Sequence, residues 1–213
     1  MGSTSIREWS MICPIHQLFL RCPDHPMIQM NEQVITAADI ELSIQRCCDS
    51  LNVDADDRPF SIIGDDPFVV LSWLFAAART GRIIAITSSK EPQSIRDQRL
   101  LELNIRTDTQ YRDIGNQATQ HKQADIRDPF APLCILFTSG SSGTPKAVVH
   151  SFNGLRSSAL FSNQNIPLLF GNRWLQSLSM WHIGGLMIPI RTIYGSATMV
   201  VRNKNRTLFE QME

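Results

Sequence analysis

A chain of 213 residues, 43% hydrophobic and 19% charged with no net charge, can build a core of one or two domains and is unlike a disordered chain. No apolar run reaches the roughly 18 residues of a membrane span, so a membrane-spanning helix is excluded, and no nucleic-acid partner is expected. The five cysteines show no CxxC spacing and the leader MGSTSIREWSM has no signal-peptide core, which points to reduced, structural thiols in a cytoplasm. The charge is unevenly spread. Residues 1–132 carry 18 acidic and 13 basic side chains, residues 133–213 carry 2 and 7, and no Asp or Glu occurs from position 129 to 209. A carboxylate-free, mildly basic half suits a polyanionic ligand, and equally a surface that another segment covers.

In chain order, residues 27–30 and 34–35 flank Asn31-Glu32-Gln33 as a small hairpin. Thr36 is placed to cap a helix to about Leu51, with Ile40, Ile44 and Cys47 or Cys48 on its apolar face. Residues 60–63 read as a strand. Asp66-Pro67 opens a helix over 68–79 that Gly81 closes. A strand at 83–86 and a helix at 95–103, resting on Leu100, Leu101 and Leu103, follow. Residues 115–128 are polar and read as a surface connection. Beyond them come a strand at 134–137, a second at 147–149, and a helix at 152–165. A strand at 174–178, a helix at 183–194 interrupted by Pro189, and a buried strand at 197–201 complete the series, and Thr207 opens what reads as a further helix. Strand–helix alternation of this kind predicts an α/β fold of mostly parallel sheets covered by helices.

Between the strands at 134–137 and 147–149 lies Thr138-Ser-Gly-Ser-Ser-Gly-Thr-Pro-Lys146. Gly140 and Gly143 let backbone approach a ligand closely, and successive N–H groups can form an anion nest. Thr138, Ser139, Ser141, Ser142 and Thr144 add hydroxyls, and Lys146 adds a point charge. The spacing is not that of a Walker A loop, since the glycines are too close and Pro145 precedes the lysine. A plain Gly/Ser linker would not be bounded by apolar strands on both sides.

T-S-G-S-S-G-T-P-K resembles the phosphate-binding signature of the adenylate-forming (AMP-binding) enzymes, which include acyl- and aryl-CoA synthetases, luciferases and peptide-synthetase adenylation domains. The continuation Lys146-Ala-Val-Val-His-Ser-Phe-Asn153 is similar to the family's PKGVxxTHxN, with Ala147 in place of a common glycine. A second stretch, Leu178-Ser-Met-Trp-His-Ile-Gly-Gly-Leu186, resembles the family's aromatic/His–Gly motif at the acyl-acid pocket. Its particular form is most similar to 2-succinylbenzoate–CoA ligases of menaquinone biosynthesis, with Trp181 where Phe is usual.

The resemblance implies an ATP-dependent acid–CoA ligase that adenylates a carboxylate and then forms a thioester, with ATP and CoA as substrates and Mg²⁺ as companion of ATP. It implies that residues 138–144 and Lys146 bind the β- and γ-phosphates, that Lys146 and His182 are catalytic, and that His182, Gly184, Gly185 and Arg191 belong to the acyl pocket. On the residues alone, His182 is either a packed or capping side chain or a donor to a carboxylate, with Gly184-Gly185 leaving room for a flat ligand. Arg191 is either a solvated helix charge or a bidentate partner for a second carboxylate.

The family's Mg²⁺ glutamate, ribose-binding aspartate and C-terminal catalytic lysine motifs do not occur in these 213 residues. The expectation is an N-terminal part of such a ligase, inactive alone, with residues 1–132 as a first α/β portion and 133–213 as the portion carrying the loop and pocket. Unfinished surfaces, such as the strand at 197–201, would then favour a homo-oligomer. Another acyl- or aryl-acid CoA synthetase, or a noncatalytic module binding a nucleotide or a partner, stays open at this level.

Overall fold

The computed structural model describes residues 11–107, 124–138 and 145–201. A two-residue strand, β1 (Met11–Ile12), leads into helix α1 (Pro14–Arg21). Strands β2 (Pro26–Met30) and β3 (Gln33–Thr36) form the expected hairpin, with Asn31 in the left-handed region at φ 55°. Helix α2 (Ala37–Val53) starts with a complete capping box. Asp39 N donates to Thr36 Oγ1 at 3.2 Å, and Thr36 N donates back to Asp39 Oδ2 at 2.8 Å. Its buried face holds Ile40, Ile44, Cys47 and Cys48 together.

After β4 (Phe60–Ile63), Asp66 accepts from Phe68 N at 2.8 Å and Pro67 fills the first turn of α3 (Pro67–Thr80). Gly81 ends α3 with φ 73°, a conformation that costs a glycine no Cβ clash. Helix α3 is buried almost throughout and packs on α2. Their contact encloses an ion pair: Arg79 donates to both oxygens of Glu41 at 2.6 and 2.9 Å, with both side chains buried. His16 from α1 lies 3.0 Å from the same carboxylate, so three helices meet on one charge.

The next elements are β5 (Ile84–Thr87), α4 (Gln93–Glu102), β6 (Arg106–Thr107), β7 (Asp125–Ile126), β8 (Pro132–Thr138) and β9 (Lys146–Ser151). They are followed by α5 (Phe152–Asn165), β10 (Arg173–Gln176), α6 (Ile183–Gly195) and β11 (Thr198–Val201). One sheet runs β6-β4-β5-β8-β9, parallel except for the β8–β9 hairpin. The other runs β10-β11-β2-β3, parallel except for β2–β3. Both large sheets therefore draw strands from either side of residue 132. The expected α/β architecture of mostly parallel sheets with covering helices is what the chain adopts. No helix among the described residues is long and apolar enough to cross a membrane.

Several local expectations are corrected. Helix α4 buries Leu100 but leaves Leu101 79% exposed, and Leu103 at its C-cap 45% exposed, because only one narrow stripe of this otherwise polar helix meets the sheet. Within the polar stretch 115–128, Asp125–Ile126 pairs antiparallel with β1 and buries Ile126. The strand at 197–201 is no open edge. It is flanked by β10 and β2, and Met199 is buried between them. Pro189 does not interrupt α6, which continues to Gly195. A proline at 189 removes the N–H that would bond the Gly185 carbonyl. That carbonyl accepts instead from Gln176 Nε2 at 3.0 Å.

Candidate active site

The parallel strands β4, β5 and β8 end together at one edge of their sheet, and in open α/β sheets ligands bind outside the carboxyl ends of the strands. Thr138 is the last residue of β8 and is paired directly with Lys146, the first of β9. Residues directly opposite in an antiparallel pair project to the same face. The Thr138 hydroxyl and the Lys146 ammonium therefore leave the hairpin mouth on one side. Thr138 Oγ1 also reaches the Lys146 carbonyl at 3.4 Å. Leu136 and Cys134, two and four residues back from Thr138 on that face, lie in the main core, whereas Ile135 and Phe137 face the smaller cluster under α4. The mouth thus opens toward the main core side. Ser139, Gly140, Ser141, Ser142, Gly143 and Thr144 lie outside the described residues.

The second motif arrives at the same edge from the other sheet. Strand β10 ends at Gln176, two residues short of the expected 178, and the chain then turns through 177–182 into α6. Met180 is buried in the main core and Trp181 packs against it. A Cβ on Gly64, which follows β4, would come within 3.3 Å of Trp181 N. Lys90, which follows β5, places its Nζ 5.7 Å from the centroid of the Trp181 ring. The register Ile86–Leu136 carried on two residues sets Ser88 beside Thr138. The turn bearing His182 and the mouth of the 139–144 loop therefore share one rim.

His182 occupies the N-cap position of α6, makes no side-chain capping bond, and is exposed. Among the described residues no hydrogen bond engages its ring, whose centroid lies 6.0 Å from that of Trp181, and the capping alternative does not apply. The two glycines part company. A Cβ on Gly185 would fall 2.0 Å from the Ser179 carbonyl oxygen, so the space beside it is filled by backbone and not by a ligand. Gly184 is exposed and lines a cavity of about 320 Å³ between α5, α6 and the end of β10, with Ser158, Ser162, Trp174, Leu178 and Arg191. His182 is outside this lining.

Arg191 is half-buried, and no carboxylate among the described residues pairs with it. Its Nε donates to Asn163 Oδ1 at 3.0 Å, one Nη donates to the Ile166 carbonyl at 3.1 Å, and its guanidinium stacks 4.4 Å from the Trp174 ring centroid. Neutral partners leave its full positive charge directed along the cavity wall. Asn163, Trp174 and Lys90 are site neighbours that the sequence did not single out. Asn163 and Lys90 sit in polar stretches with no motif, and Trp174 read only as a strand residue.

A larger hollow, about 460 Å³, lies by β6 at the opposite end of the sheet from β9, lined by Arg58, Asp97, Leu101 and Arg106. Its arginines are tied to Asp54 and Asp56, which leaves little charge for a ligand. Among the described residues no group of three His, Cys, Asp or Glu side chains could hold a metal ion. At the rim itself, the Asp66 carboxylate is engaged in capping α3.

The profile of the family described as AMP-binding enzyme matches residues 68–213. A 2-succinylbenzoate–CoA ligase of Bacillus cereus is 22% identical over 196 residues, covering 84% of this chain and 41% of that protein. The chain spans about two fifths of the length of the curated relatives with which it shares these 196 residues. Among solved structures, the o-succinylbenzoate CoA synthetase of Bacillus subtilis bound to a product analogue superposes with a TM-score of 0.80 at 18% identity, covering 95% of this chain and 46% of that one. The same synthetase in complex with ATP and magnesium ion gives 0.77 at 18% identity, with 95% and 60% covered.

Proposed function

The chain belongs to the AMP-binding enzyme family, and from that premise we propose that it supplies the phosphate-binding and acyl-acid-binding part of an ATP-dependent acid–CoA ligase acting on 2-succinylbenzoate. In the reaction a carboxylate oxygen attacks the α-phosphorus of ATP, pyrophosphate leaves, and the thiol of CoA then displaces AMP from the acyl carbon. Little covalent work falls to the protein in such transfers. Positioning two anions and stabilising the charge on the departing pyrophosphate dominate.

The observation that carries the reading is the shared rim. Thr138 and Lys146 face one another across the mouth of the glycine-rich loop, and the Met180–His182 turn stands over the neighbouring strand ends. Lys146, with residues 138–144, would hold the phosphates. His182, exposed at the start of α6, would approach the carboxylate being activated. The cavity with Gly184 and Arg191 would take the acid: Trp174 and Leu178 suit an aromatic ring, and Arg191 suits a second carboxylate. The described residues do not by themselves make a Mg²⁺ cage, so the roles given to this chain rest on its own hydroxyls and cations.

The test is equilibrium binding of a nonhydrolysable 2-succinylbenzoyl-adenylate analogue against a long-chain fatty-acyl analogue. The reading expects preference for the dicarboxylate, lost in Arg191→Ala. Equal affinity for both, or an Arg191→Ala variant that keeps the preference, would contradict the substrate assignment.

A further inference from the structure

On the face of β8 opposite Thr138, the ring of Phe137 is covered by Arg99 from α4. The guanidinium carbon lies 3.9 Å from the ring centroid. The same guanidinium donates from Nη1 and Nη2 to the two oxygens of Glu91 at 2.5 and 2.6 Å, a fork-on-fork pair. Both side chains are largely withdrawn from solvent, at 14% and 19% exposure. Glu91 belongs to the short connection leaving β5, next to Lys90, whose ammonium stands over Trp181. Arg99 thus joins the exit of β5 and the last turn of α4, eight residues apart, to the distant residue that precedes Thr138.

We propose that Arg99 is a positioning residue for the phosphate-binding loop, holding Phe137 and so the aim of Thr138 and Lys146 at the loop mouth. The inference rests on the reading of residues 138–146 as that loop. The local chemistry requires such a support. Phe137 is paired with Ala147 on the neighbouring strand, and a methyl group offers a phenyl ring little to rest on. Thr138 and Lys146 form the last pair of the described ladder, one residue beyond the Phe137–Ala147 pair. A planar cation that stacks on the ring while its two terminal nitrogens are held by one carboxylate fixes the ring in position and orientation. Lysine cannot replace it, since an ammonium neither forks nor stacks in this way. By setting the connection that carries Lys90, the same bracket also fixes how the Trp181–His182 turn meets the loop mouth.

Amide hydrogen exchange on the 213-residue chain tests this. In Arg99→Ala, amides of residues 137–138 and 146–147 should exchange roughly five- to thirtyfold faster, the change expected for loss of a desolvated stack and a charge-assisted pair. Those of 134–136 and 148–150 should stay within about twofold, since the rest of the ladder keeps its bonds. Arg99→Lys should behave like Arg99→Ala, and Glu91→Gln should give a smaller, tip-confined change. Acceleration spread evenly over the hairpin, or none, would overturn the proposal, because a purely structural anchor of α4 would not select the tip. ATP and AMP titrations separate this from the reading it rests on. Weaker ATP binding in Arg99→Ala with AMP binding unchanged supports both. Tip-selective exchange in a protein that binds no ATP would establish the bracket but overturn its assignment to phosphate.

Discussion

Gln176 donates its carboxamide to the Gly185 carbonyl at 3.0 Å, the one acceptor in α6 that Pro189 deprives of its helical partner. The same nitrogen donates to the Leu178 carbonyl at 2.5 Å. One side chain at the end of β10 therefore closes the turn that carries His182 and repairs the helix that follows. This explains how a proline sits within α6 without ending it.

Gln176→Leu should destabilise the chain by about 1–3 kcal/mol, since it leaves buried carbonyls without donors. Pro189→Ala placed in the Gln176→Leu background should recover part of the loss, because residue 189 would then offer an N–H to Gly185. Thermal melts of the four members of this cycle measure the coupling. Additive effects of the two substitutions would reject the repair.

The buried Glu41–Arg79 pair sets a second expectation. Burial opposes ionisation of Glu41, but the Arg79 guanidinium outweighs it and holds the carboxyl below its ordinary range. A depressed folded-state value means that the unfolded chain takes the proton first as pH falls. The contribution is complete above about pH 4.3, the unfolded value for glutamate, and is lost as pH drops through the lower folded value. Glu41→Gln should cost roughly 3–5 kcal/mol at pH 7, since it strands a buried arginine charge. The variant should also lose less stability than the parent between pH 5 and 3. Urea unfolding at each pH reads both effects, and a parallel pH profile for the two proteins would contradict the assignment.

The adjacent glycines of α6 should respond very differently. A Cβ at Gly185 meets the Ser179 carbonyl oxygen at 2.0 Å, and backbone has nowhere to go. Gly185→Ala should therefore push the 178–179 segment off α6 and cost more than about 3 kcal/mol, in the range of severe overpacking. At Gly184 the nearest atom is Leu178 Cδ1 at 3.0 Å, the end of an exposed and movable side chain. Gly184→Ala should leave the melting temperature nearly unchanged while narrowing the cavity it lines. Comparable melting losses for both variants would show that the glycines serve a common purpose.

Much of this architecture was legible in the residues because its determinants are local. Thr36 with Asp39, Asp66 with Pro67, and Gly81 each fix a helix end through contacts within a few residues. Short apolar runs mark β4, β5 and β8 for the same reason. The parts that escaped depend on distant partners. Two-residue β1 exists only because Ile126 pairs with it from more than a hundred positions away. Leu101 and Leu103 are as apolar as Leu100, and nothing local to them reports how little of α4 meets the sheet. At the site, the Thr138–Lys146 mouth followed from the motif and its flanking strands. The stack of Arg191 on Trp174 and its bonds to Asn163 did not, since no periodicity within α6 reports what α5 presents to it. The sequence offers Gly184-Gly185 together as ligand space, but Gly185 is packed against backbone and only Gly184 lines the cavity, a difference no local pattern reports.

The central claim, that the hairpin mouth formed by Thr138 and Lys146 receives the phosphates of ATP, is tested most directly by titrating ATP and AMP into the 213-residue chain and its Lys146→Ala variant by calorimetry. Removal of a charge-assisted phosphate contact should weaken ATP binding roughly ten- to a hundredfold. Binding of AMP, which has no β- or γ-phosphate, should change little, and the melting temperature should hold because Lys146 is exposed at the end of an edge strand. Equal ATP affinity in the two proteins, or a parallel loss of ATP and AMP binding, would contradict the account.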